Sequence, residues 1–150
     1  MKIGIIYKSV HHGNTKRIAE VMAGSLDADL LDLKDVKVDV VKDYDLIGFG
    51  SGIYNRKPHK ELMKFVEGLN NVNDKKAFVF STSGRDKLEF NSRLKEELTG
   101  KGFKIIGEFS CKGFDTWGPF KLIGGLNKGK PDEEDFKSAE SFANSLKKKY

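Results

Sequence analysis

The chain has 150 residues, 38% of them apolar and 33% charged, with a net charge of +5 at pH 7. That length points to one domain over residues 1–150, and no apolar run approaches the ~20 residues of a transmembrane helix or the form of a signal peptide, so no membrane association is expected. Cys111 is the one cysteine, which excludes an internal disulfide or a cysteine metal cluster and fits a reducing cytoplasm; the 27 Lys and Arg are scattered among 22 Asp and Glu, which argues against a nucleic-acid partner.

Apolar runs alternate with helical periods along the chain. Ile3 to Tyr7 reads as a buried strand, and Ile18, Met22 and Leu26 then share one helical face. Ala28 to Leu33 is a second, weaker strand and Leu46 to Gly50 a third. Leu62, Phe65, Val66 and Leu69 repeat at helical spacing after it. Ala77 to Phe80 is a fourth strand, followed by a helical stripe of Phe90, Leu94 and Leu98 that Gly100 and Gly102 stop. Phe103 to Phe109 is a fifth strand. Phe136, Ala139, Ala143 and Leu146 form the last stripe, and Lys147 to Lys149 complement a helix C-terminus. One connection is strained. Lys34 to Tyr44 is barely long enough to cross between parallel strands, and its Val36, Val38 and Val40 alternate like a strand, so a short helix or an extended crossover is expected there.

This alternation predicts an α/β fold, a doubly wound five-stranded parallel sheet with helices on both faces in three layers. Ligands of such sheets bind outside the carboxyl ends of the strands. The loops at those ends are Ser9–Asn14, Ser51–Pro58, Ser81–Asp86 and Ser110–Pro131, and all are rich in Gly, Ser, Thr or Asn. In the first, Gly13-Asn14-Thr15 stands between a strand and a helix. Amide groups at a helix N-terminus point at an anion, Gly13 permits close approach, and Ser9 and Thr15 add hydroxyls. This is a candidate phosphate cradle, although it is neither a Walker loop nor G-x-G-x-x-G. A ligand-free helix cap made by Asn14 or Thr15 is the alternative.

A strand, a loop ending Gly-Asn-Thr and an amphipathic helix resemble the FMN phosphate loop of flavodoxins, which usually reads Ser/Thr-x-Thr-Gly-x-Thr. Val10 and His12 stand at two positions where that pattern has hydroxyls, and Ser9 is placed to supply one of them. "FGSGIYNRKPHKELMKFV" resembles the second flavin loop and following helix of the branch that includes protoporphyrinogen and quinone oxidoreductases. "VFSTSGRD" resembles the third loop and "GFDTWGPFKLIGGLNKGKPDEEDF" the final one. The resemblance implies a short-chain flavodoxin-like fold with strand order 2-1-3-4-5 and FMN as cofactor.

Its site residues follow by position. Ser9, His11, His12, Gly13, Asn14 and Thr15 would hold the phosphate. His11 and His12 lack a third metal ligand at a recognisable spacing, because His59 is the only other histidine; an imidazole donating to phosphate suits them better. Ser51, Gly52, Ile53 and Asn55 would offer backbone groups near flavin N5, with Tyr54 against the ring. Thr82, Ser83, Gly84 and Arg85 would line the pyrimidine side. Asp115 and Trp117 belong to the final loop, where Trp117 could cover the ring or pack the loop. Arg56, Lys57 and Arg85 would place positive charge beside the reduced, anionic ring and face an acidic, ferredoxin-like redox partner. The reading that follows is a low-potential electron-transfer flavoprotein. An FMN-dependent oxidoreductase acting on a quinone, a porphyrinogen or another small acceptor is the second, and a non-redox binding module that has kept the fold is the third.

Overall fold

The computed structural model describes residues 1–10, 13–85, 87–113 and 129–150. Strand β1 (Ile3–Lys8) leads into helix α1 (Asn14–Leu26), and β2 (Asp29–Asp32) follows. β3 (Leu46–Tyr54) turns back into β4 (Lys57–Pro58), which α2 (Lys60–Glu67) succeeds. β5 (Lys76–Ser83), α3 (Ser92–Gly100), β6 (Lys104–Lys112) and α4 (Glu133–Leu146) complete the order. The five parallel strands run β2-β1-β3-β5-β6, with β4 antiparallel on β3. Leaving out the two-residue β4, this is the expected order. It puts the reversal between β1 and β3, the pair from which successive connections run in opposite directions.

Each face of the sheet carries its own core. Ile5 and Tyr7 of β1, Phe78 and Phe80 of β5, and Phe109 of β6 pack against Ile18, Ala19 and Met22 of α1 and Ala139, Ala143 and Leu146 of α4. On the other face Ile6, Ile47, Phe49 and Val79 meet Leu62 and Val66 of α2 and Leu94 and Leu98 of α3. The stripes of α1 and α4 face the first core, and Leu62, Val66, Leu94 and Leu98 the second, which is the sense of their period; Leu69 lies beyond the end of α2, and Phe90 stands in a separate 3₁₀ helix, Leu88–Asn91, ahead of α3.

The central strand owes its first face to glycine. Gly48 and Gly50 lie in register beside Phe78 and Phe80. A β-carbon on either glycine would overlap the neighbouring phenyl ring, so the rings lie across β3 where side chains would otherwise stand.

The crossover after β2 is neither a full helix nor a strand. It forms two 3₁₀ helices, Leu33–Asp35 and Val38–Asp43, and only their Leu33 and Val41 are buried. The valines at alternate positions therefore do not share a sheet face; Val38 points outward. A tight 3₁₀ turn spans the short gap without an extra strand. Strands β3, β5 and β6 also run beyond their apolar runs, into Ser51–Tyr54, Ser81–Ser83 and Ser110–Lys112, because parallel pairing continues while Ser51, Ser81 and Thr82 are themselves buried. The lysine run begins at the C-cap of α4, as expected. No helix among the described residues is long and apolar enough to cross a membrane.

Candidate functional site

The first loop reaches α1 through Gly13, which caps the helix in the left-handed region (φ 66°) with open space where a side chain would stand. Nearly every other residue would be strained there. Gly13 has no side chain to close the cap, and the first turn of α1 carries no acidic residue. The Ser9 hydroxyl accepts the Lys16 amide at 3.3 Å, which leaves its own proton to give. Arg17 donates to the Asn14 side chain at 2.9 Å, so a guanidinium stands within the first helical turn. A helix end built this way attracts an anion through its amides and its dipole.

Thr15, whose hydroxyl was expected at the phosphate, also has a partner for it inside the fold. It is 2% exposed, and its Oγ1 lies 2.8 Å from Oγ1 of Thr82, itself 3% exposed. Thr82 sits on β5 in register with Gly52 of β3 and Cys111 of β6. The pair thus ties the start of α1 to the strand that ends in the third loop. A second tie follows, because the Gly113 amide donates to the Ser83 carbonyl at 3.0 Å. The Asn14 amide lies where a β-carbon of Gly113 would be, so the fourth loop leaves β6 against the start of α1. First, third and fourth loops therefore converge on one edge of the sheet. Ser83 and the adjoining Gly84 are half-buried, and Arg85 is exposed. The hydroxyl oxygens of Ser81 and Ser83 are buried without a hydrogen-bond partner among the described residues.

The second loop satisfies itself. Ser51 donates to the Gly52 carbonyl at 2.7 Å and accepts the His59 amide at 3.1 Å, so both capacities of its hydroxyl are spent inside the chain. Asn55 and Arg56 both take positive φ, 50° and 64°, the sign pattern of a type I′ turn joining β3 to β4. Ile53 pairs with Pro58 and Tyr54 with Lys57. Tyr54 folds back over Gly52, its hydroxyl 2.8 Å from the position of a β-carbon there. Its ring meets that of His59 edge to face at 5.3 Å. Asn55, Arg56 and Lys57 are exposed.

His59, a metal-ligand candidate by residue type, serves the fold as a helix cap. Its Nδ1 accepts the Glu61 amide at 3.0 Å and caps α2. That bond needs the neutral ring with its proton on Nε2. Burial, assisted by the charges of Lys8 and Lys60 and opposed by Glu61, holds its pKa below the ordinary value. Lys8 pairs with Glu61 at 2.9 Å and keeps that carboxyl below its usual range. Histidine is an unusual cap, and Arg stands where a type I′ turn favours glycine, so neither feature had a strong local signal.

Ser9, Gly13, Asn14, Thr15, Thr82, Ser83 and Gly84 are thus gathered at one sheet edge, with Ser51, Gly52, Ile53, Tyr54 and Asn55 in the adjoining hairpin. His11, His12, Asp115 and Trp117 lie outside the described residues. Among the described residues no group of three His, Cys, Asp or Glu could hold a metal ion.

The Flavodoxin domain family matches residues 4–112. An uncharacterized protein of Methanocaldococcus jannaschii is 51% identical over 150 residues, covering 99% of both chains. A flavodoxin of Synechocystis is 27% identical over 126 residues, 76% of this chain and 74% of that one. Among solved structures, oxidised flavodoxin 2 of Bacillus cereus superposes with a TM-score of 0.78 over all of both chains at 22% identity. Strand order, the edge on which the loops converge and the family match agree: the chain belongs to the flavodoxin domain family.

Proposed function

We propose that the chain binds FMN at the converging loops and carries electrons at low potential between protein partners. The observation that carries this reading is the end of α1. It is a helix N-terminus entered through a left-handed Gly13, with no described atom where a side chain would stand, a Ser9 hydroxyl that accepts the Lys16 amide and keeps a proton to give, and a fixed position beside β5. Such an end fits one terminal phosphate. The neighbouring hairpin offers an aromatic ring at Tyr54, folded over the buried Gly52, and exposed cations at Arg56 and Lys57, which suits the ring of the same molecule. Bound there, FMN supplies the redox chemistry.

The chain's own residues do the rest. Gly13 and the amides of α1 hold the phosphate and Ser9 donates to it. Ser51 keeps the hairpin in one conformation, so the backbone from Gly52 to Asn55 meets the ring at a fixed distance. Arg56, Lys57 and Arg85 favour added negative charge on the ring and form a basic rim that fits an acidic partner of the ferredoxin type.

Titration of the apoprotein tests the cofactor. FMN should bind far more tightly than riboflavin, which lacks the phosphate, and than FAD, for which no second glycine pattern is available. Equal affinities for the three would overturn the assignment. Stopped-flow oxidation of the reduced protein over a salt series tests the role. Transfer to a ferredoxin should slow as salt rises, since the Debye length falls to about 3 Å at 1 M. A flat response there, together with fast turnover of a neutral quinone, would favour the oxidoreductase instead.

A further inference from the structure

We infer that Thr82 is a positioning residue: through its hydroxyl bond to Thr15 it fixes the phosphate-binding end of α1 relative to the ring-binding end of β5. The inference rests on FMN being the ligand of this site.

The two hydroxyls are 2.8 Å apart and 67 residues apart in sequence. Both residues are almost wholly buried, at 2% and 3% exposure. The two hydroxyls therefore hold each other inside the fold, one donating and one accepting. Thr15 lies in the first turn of α1, the turn that presents amides to an anion. Thr82 lies one residue before the end of β5, beside Gly52 in the central strand. The bond thus joins the two halves of the site by their nearest buried points. Threonine suits the task, because its methyl packs while its hydroxyl joins a bond in which one residue donates and the other accepts. Valine would keep the shape and lose the bond.

A ligand with a phosphate at one end and a ring at the other gains from both contacts only when the two subsites stand at the right separation. The second contact then forms at a high effective concentration. Releasing the clamp should reduce that concentration without removing any group that touches the ligand. The expected signature is specific. FMN binding weakens, while binding of each half alone does not.

The test uses full-length apoprotein of the parent, Thr82→Val, Thr82→Ser and Thr15→Val. The probes are FMN, riboflavin and inorganic phosphate, with phosphate measured by competition against FMN. Thr82→Val should weaken FMN about tenfold, the size expected for a loss of effective concentration rather than of a contact. Riboflavin and inorganic phosphate should stay within about twofold of the parent. Thr15→Val should weaken FMN at least as much, and Thr82→Ser, which keeps the hydroxyl, should restore FMN affinity. Thermal unfolding of each apoprotein shows that it is folded when titrated. Unchanged FMN affinity in Thr82→Val overturns the inference. So does an equal loss of phosphate, which would make the hydroxyls direct ligands, or an equal loss of riboflavin, which would put Thr82 against the ring. Failure of the parent protein to prefer FMN over riboflavin would instead remove the cofactor assignment on which the inference stands.

Discussion

The first and second loops lie side by side on the same sheet edge and are built on opposite plans. The hairpin after β3 closes its own hydrogen bonds: Ser51 spends both capacities within the chain, and His59 caps the helix that follows. The loop before α1 takes up one amide of the helix end, that of Lys16, through Ser9, and the first turn is held from outside, by Thr82 of β5. A surface for a flat ring benefits from being rigid before anything binds. A site for a dianion benefits from donors that have no partner until it arrives. The contrast shows how one fold edge serves both ends of one ligand.

The largest expected effect comes from breaking what the two loops share. Gly50→Ala drives a methyl into the buried Phe80 ring beneath both loops. The cost should be about 3 kcal/mol, the upper end for overpacking a core. Urea unfolding should show it, and riboflavin and FMN should weaken together. Retention of full stability would mean that the glycine is not what lets the ring cross β3.

Ser51→Ala then acts on the hairpin alone. It leaves the His59 amide without its acceptor, at about 1–2 kcal/mol. Riboflavin and FMN should lose affinity by the same factor, because the ring end is the part disturbed. A loss confined to FMN would erase the distinction between the two loops.

Gly13→Ala acts on the other side. An alanine at φ 66° costs about 1 kcal/mol, with no clash to add to it. Asparagine tolerates this region, so Gly13→Asn should cost less in thermal unfolding. Here FMN should suffer and riboflavin should not.

The smallest effect is that of pH on the hairpin side. The folded protein resists protonating His59, whereas the unfolded imidazole takes a proton near its ordinary 6.5. Below that pH the unfolded state binds more protons, so this contribution to stability is full above about 6.5 and declines as the pH falls. His59→Asn keeps a side-chain acceptor at the cap and should flatten this part of the stability profile between pH 7 and pH 5. His59→Ala should flatten it as well and also lose about 1 kcal/mol of capping. An unchanged acid slope in both variants would assign the titration to another group.

Much of this was legible in the chain of letters. Apolar periodicity determined which faces of α1 and α4 turn inward, because a helical stripe such as Ile18, Met22 and Leu26 can satisfy itself only against another layer. The alternation of strand and helix determined the parallel sheet, and the glycine and hydroxyl residues after each strand marked the edge where a ligand belongs. Those are local signals, carried within a dozen or so residues. Tertiary structure alone decided the rest. The crossover left a short helix or an extended run open, and the fold takes the helical form: Val38 and Val40 stand in a 3₁₀ helix, while Val36 stays extended ahead of it. Asn55-Arg56 became a tight hairpin turn because Ser51, eight residues before His59, holds the returning chain. Thr15 offers a hydroxyl beside the candidate phosphate cradle, and the fold adds a bond from it to Thr82. Local sequence has no term for a bond between residues 67 positions apart; it exists only once β5 has been laid beside β3 and α1 packed across them.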